Sequence, residues 1–142
     1  MLAGHLALVL AAAFAGAAFY VNFAEQPARL TLDDRSLLAE WKPSYSRGAL
    51  MQASIAMVAG VLGIIAAILT YRFSFLVGAV LILAPWPFTL LIIKPTNDEL
   101  KATSIEKITP ATRGLILQWG RLHAVRTALG CAATFAYLYA VS

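Results

Sequence analysis

Four apolar stretches, each long enough to cross a bilayer as a helix, constrain this 142-residue chain more than any other feature. They run from Leu2 to Phe23, Gly48 to Thr70, Phe73 to Ile93, and within Gly114 to Val141. A helix of about 20 apolar residues spans the hydrocarbon core, where lipid offers no partner to an unpaired backbone group. Phe73 to Ile93 holds no charge, and the first half of Gly48 to Thr70 holds only Gln52 and Ser54 as clearly polar groups. The expected fold is all-α: one membrane domain, 1–142, built as a polytopic antiparallel four-helix bundle with spans at about 2–24, 48–70, 73–93 and 115–141.

Charge supports the threading. Both polar connections fall on one side, with Arg29, Arg35, Lys42, Arg47, Lys94, Lys101, Lys107, Arg113 and all seven acids, whereas only Arg72 falls on the other. By the positive-inside rule the loops face the cytoplasm and both termini lie outside, in a plasma or inner membrane. The first stretch lacks the basic start of a secretory signal and is read as a span. No basic stripe interleaves with exposed aromatics, so nucleic acid is excluded as a partner. The lone Cys131 excludes an internal disulfide and a cysteine-rich metal site.

The connections carry local signals. Thr31 to Trp41 has a capping threonine and helically spaced apolar residues, which predicts a short interfacial amphipathic helix ended by Pro43. In the second connection Asn97 and Thr109 are candidate caps, and Pro110 suits the first turn of a long fourth helix. Pro85-Trp86-Pro87 removes two backbone donors and predicts a kinked third span. Small residues on the first two spans, such as Ala11, Ala15, Gly16, Gly60 and Gly63, allow close helix packing.

The polar residues inside the spans converge. If the fourth helix leaves the membrane near Val141, Arg126 lies roughly 22 Å along it and about 8 Å below the opposite boundary. Trp119, His123 and Arg126 share one face, which continues through Gly130, Ala133 and Tyr137. A charged side chain facing lipid is costly, so this face turns into the bundle. The same depth count brings Tyr20, Asn22, Gln52 and Thr89 to this level, with Glu25, Trp41, Tyr45, Arg47, Asn97 and Trp119 forming the rim of a cup. Blander roles remain open for each: Arg126 as the salt-bridge partner of Glu25, His123 as a packing histidine, the aromatics as interfacial anchors. His5 and His123 lie near opposite faces, so no metal site is expected.

At these residues a resemblance appears. Glu25-Gln26-Pro27-Ala28-Arg29, Trp41 with Tyr45 and Arg47, Gln52, Pro87-Phe88-Thr89 through Pro95-Thr96-Asn97, and Trp119-Gly120-Arg121-Leu122-His123-Ala124-Val125-Arg126 resemble the anthrone oxygenase-like family of small four-helix membrane proteins. The resemblance implies cofactor-free oxygenation, in which an anthrone is oxidised to an anthraquinone with molecular oxygen as cosubstrate. On that reading His123 is the base, Arg126 holds the oxyanion, and Glu25 orients His123 or balances Arg126. Tyr20, Trp41 and Trp119 would stack on the planar ligand, and Tyr45, Gln52, Thr89 and Asn97 would complete its binding site. The expected partners are a hydrophobic aromatic small molecule and membrane lipid, with self-association left open. A non-catalytic protein binding a quinone, a lipid-like molecule or a partner helix is the alternative, and a haem or quinone redox protein a third.

Overall fold

The computed structural model describes residues 1–142, and every regular element in it is helical. Helix α1 is Leu2–Arg29, α2 Asp34–Thr70, α3 Phe73–Ala102 and α4 Pro110–Val141, each long and apolar enough to cross a membrane. Consecutive helices run antiparallel, and each packs on two neighbours: α1 and α3 both lie between α2 and α4. Large apolar side chains such as Val9, Leu50, Ile68, Val80, Leu91 and Phe135 stand exposed around the outside. Contiguous apolar surface on that scale belongs against lipid, and the chain is an integral membrane protein.

The interior has two apolar clusters with a polar layer between them. One, toward the chain ends, gathers residues including Ala11, Phe14, Ala59, Phe75, Ile82 and Tyr137. The other, toward the polar connections, gathers Leu37, Leu38, Trp41, Ile93, Leu100, Ile116 and Trp119. Small residues set the spacing in the first. A Cβ on Gly63 would stand 2.0 Å from the Tyr137 hydroxyl, and one on Gly78 2.5 Å from its ring. That hydroxyl donates to the Ala59 carbonyl at 3.1 Å, so the ring is fixed where both glycines must yield to it. Gly63→Ala should therefore cost about 1–3 kcal/mol by overpacking. The cost should shrink in a Tyr137→Phe background, a non-additivity that thermal unfolding of the four proteins in detergent will show.

The turns follow from their residues. Tyr71 closes α2 in the left-handed conformation, φ 57°, and projects into its surroundings. Arg72 then donates to the Ala140 carbonyl at 2.7 Å, satisfying an orphan acceptor at the end of α4. Thr109 caps α4 ahead of Pro110 through a capping box with Thr112, as the sequence predicts. At the start of α2 the cap is Asp33 rather than Thr31. Its carboxylate accepts from the Ser36 and Arg35 amides, and the Ser36 bonds above all hold its pKa below the usual carboxylate value.

Two expectations are corrected. The amphipathic segment is helical, but it is the first part of α2 and not a separate interfacial helix: Pro43 lies inside a continuous run. Proline removes one backbone bond, and the burial of Leu37, Leu38 and Trp41 against α3 and α4 keeps the chain helical through it. Likewise α3 does not end at Ile93 but continues to Ala102, so Asn97 is a buried mid-helix residue and not a cap.

The third span is irregular where the prolines predicted. An α-helical run ends at Leu83, a turn of helix spans Pro85–Phe88, and a π-turn follows at Thr89–Ile93. Helix α1 has its own π-turn at Val21–Glu25. Each π-turn directly precedes a proline-containing segment, with Pro27 in one case and Pro95 in the other. A proline ring crowds the carbonyl four residues back, and the wider turn relieves that contact. In α1 it also carries Gln26 and Arg29 onto the buried face that Ala11, Phe14 and Ala18 begin.

Candidate functional site

The polar layer is built by all four helices. On α4, Thr112, Ile116, Trp119, Gly120, His123, Arg126, Gly130, Ala133 and Tyr137 form one buried stripe at helical spacing. Arg126 reaches across the bundle, donating from Nη2 to Gln52 Oε1 of α2 at 3.1 Å and from Nη1 to Thr89 Oγ1 of α3 at 3.3 Å. Its guanidinium lies 5.9 Å from the centre of the Phe14 ring of α1. It is 8% exposed, its Nε has no partner, and no carboxylate pairs with it. A buried cation held only by neutral acceptors is an anion-seeking group.

His123 sits one turn away, and Asn22 of α1 holds it. The Asn22 amide nitrogen donates to the Gly120 carbonyl at 2.8 Å, which turns Oδ1 toward α4. That oxygen takes the Thr127 hydroxyl at 2.7 Å and lies 2.8 Å from His123 Nδ1. Reversing the amide would set two oxygens against each other at Gly120, so Nδ1 is the protonated nitrogen and Nε2 carries the lone pair. Nε2 has no protein partner, and the ring leans on Trp119 with centroids 5.0 Å apart.

Two adjoining cavities meet at Arg126. One, of about 120 Å³, is lined by Phe14, Gln52, Ala53, Trp86, Thr89 and Arg126 among others. The other, of about 40 Å³, lies toward the polar connections beside Glu25, Ser44, Tyr45, Trp119, His123 and Arg126. Gln52, Ala49 and Arg126 border both. A larger groove at the opposite end, beside Arg72 and Tyr139, contains none of the converging residues.

Much of the rim expected to open the cup is packed against itself. Arg29, 3% exposed, donates to Glu25 and to Ser44, pairs with Glu40 at 2.9 Å and lies 5.6 Å over the Trp119 ring. Glu25 also accepts from Ser44, so it serves Arg29 and neither orients His123 nor balances Arg126. Trp41 is fully buried and stacks on Tyr45 at 4.8 Å, edge-on to Trp119. Asn97 donates to the Tyr45 hydroxyl at 3.1 Å. Trp41 and Asn97 thus support the wall without lining a cavity.

Of the expected site residues, the structure gathers His123, Arg126, Gln52, Thr89, Trp119, Tyr45 and Glu25 around the cavities. It does not gather Tyr20, which is 61% exposed on the outer face of α1. Sequence reasoning missed the partners of these residues. Arg29 and Ser44 lie beyond the apolar stretches and so read as loop residues, although α1 and α2 extend to include them, and depth alone gives the level of Asn22 but not its bond to His123. The three- and four-residue steps from Ala18 through Asn22 and Gln26 to Arg29 were the signal that these side chains share a face.

Comparison with known proteins supplies the remaining observation. The sequence model of the family described as anthrone oxygenase matches residues 41–136, which hold every gathered site residue except Glu25. No curated protein and no solved structure gives a significant match. With the match covering most of α2, all of α3 and most of α4, the chain belongs to the anthrone oxygenase family.

Proposed function

We propose that this protein is a membrane-embedded oxygenase that uses molecular oxygen without a cofactor on a planar, hydrophobic phenol of the anthrone type. The observation that carries the reading is the placing of a buried, carboxylate-free Arg126 one turn from a His123 whose Nε2 lone pair has no protein partner. The family match supports an oxygenase-type role, and the geometry supports the division of labour.

The chemistry needs a base and a cation. His123 Nε2 takes a proton from the anthrone methylene, and the electron pair moves onto the carbonyl oxygen, where Arg126 stabilises it. The electron-rich carbon then gives electrons to molecular oxygen and forms a C–O bond, and the resulting peroxide anion takes the proton back to become a hydroperoxide. Loss of the second methylene proton with cleavage of the O–O bond leaves the new carbonyl and releases water. One molecule of oxygen is consumed, and the substrate loses two hydrogens and gains one oxygen atom. Gln52 and Thr89, already bonded to Arg126, fix the guanidinium so that no reorganisation is needed as charge develops. By the positive-inside rule, Arg29, Glu25 and the polar connections are assigned to the cytoplasmic side.

The test is oxygen uptake by the purified protein with an anthrone, with the anthraquinone followed by its absorbance. Arg126→Gln should lower kcat by about 10²- to 10³-fold while a folded bundle persists, the range for losing one oxyanion-stabilising group. Unchanged turnover in that variant would reject the assignment.

A further inference from the structure

The site is screened at its polar end, and on its flank a gap opens between two helices toward lipid. At the polar end the Arg29 cluster and the Trp41, Tyr45 and Trp119 rings pack over the smaller cavity, leaving Glu25, Ser44 and Tyr45 partly exposed beside it. The larger cavity lies between α2 and α3, at the level where Pro85, Pro87 and the π-turn interrupt the third span. Helix α3 packs closely on α2 through Phe73–Leu83 but draws away from it over Pro85–Ile93, which leaves a gap. Trp86, 38% exposed, and Leu90, 56% exposed, edge that gap on α3, facing Ala49 and Ala53 on α2. Both α2 residues are small.

The dimensions match a particular kind of ligand. Pockets that enclose a drug-sized molecule hold about 300–1,000 Å³, whereas this cavity holds about 120 Å³. Together with the adjoining cavity it takes the leading edge of a planar ring against Arg126, Gln52 and Thr89 and toward His123, and leaves the rest of the molecule between the helices, flanked by Trp86. We infer that the gap between α2 and α3 is a lateral portal through which a membrane-dissolved planar phenol reaches Arg126 without passing through the polar end. This rests on the functional reading above for the aromatic character of the ligand. The portal itself rests on the divergence of the two helices and the unpaired guanidinium behind it.

The experiment places a thiol in the portal of the full chain in lipid nanodiscs, as Ala53→Cys in a Cys131→Ala background, and uses naphthol as the probe. A membrane-permeant maleimide should label it at least tenfold faster than a sulfonated one, and naphthol should slow that labelling at least tenfold. A lipid-facing Met57→Cys control should show no such protection. In a second variant, Ala53→Phe, the association rate of naphthol, followed by tryptophan fluorescence, should fall at least tenfold. Equal labelling by both reagents, protection by oleate but not by naphthol, or an association rate untouched by Ala53→Phe overturns the portal. Binding and protection without anthrone turnover support the portal and reject the oxygenase. Turnover with an unprotected thiol does the reverse, and a protein that neither binds naphthol nor turns over an anthrone loses both.

Discussion

His123→Ala should reduce anthrone turnover by about 10²- to 10⁴-fold, the span over which a positioned general base contributes. The reasoning starts from Asn22. With its amide nitrogen committed to Gly120 and its oxygen shared by Thr127 and His123, the imidazole is held in one tautomer. The lone pair therefore sits on Nε2, the nitrogen without a protein partner. Removing the ring removes the base but leaves Arg126, Gln52 and Thr89 in place, so kcat should fall while ligand affinity changes little. Asn22→Leu separates positioning from chemistry. It leaves the imidazole but frees its tautomer and rotation, and should cost about tenfold in kcat, with the loss smaller than that of His123→Ala. Stopped-flow oxygen consumption and equilibrium binding of an unreactive naphthol give the two quantities. If His123→Ala turns over normally, the imidazole is a packing residue.

The second large effect concerns stability. Arg29→Met should destabilise the bundle by about 3 kcal/mol, at the low end of what breaking a buried ion pair costs, because Glu25 and Glu40 keep some solvent contact. Arg29 bonds Glu25 on its own helix, joins α1 to α2 through Ser44 and Glu40, and covers Trp119 on α4 with its plane, so three helices meet on one guanidinium. Without it two carboxylates face each other across an apolar wall. Arg29→Lys should recover only part of the loss, since an ammonium cannot serve two carboxylates and lie flat over an indole at once. Adding Glu25→Gln to Arg29→Met should recover stability by removing one uncompensated charge. Thermal unfolding in detergent measures all three. A melting temperature unchanged in Arg29→Met would show that the cluster is only surface charge.

Much of this protein is written in one dimension. The bilayer fixes the length of an apolar helix, so four such stretches specify four crossings, and short connections specify antiparallel neighbours. The cost of a charge in lipid turned Arg126 inward before any packing was known, and three- and four-residue spacing carried Trp119 and His123 with it. The prolines marked the irregular third span for the same local reason.

Partnership was decided elsewhere. Glu25 had two candidate partners and took neither, because the π-turn at Val21–Glu25 and the unbroken α1 bring Arg29 to it first. Tyr20 was at the right depth but on the wrong side of its helix, a matter of rotation that depth cannot reveal. Pro43 signalled a helix end, and Asn97 a cap, that tertiary burial overrode, which put both segments into the long helices that pack around the rim. Hydrophobicity and helical rise act along the chain and so belong to the sequence. Which buried polar group satisfies which depends on how four helices rotate and diverge together, and only the assembled bundle fixes that.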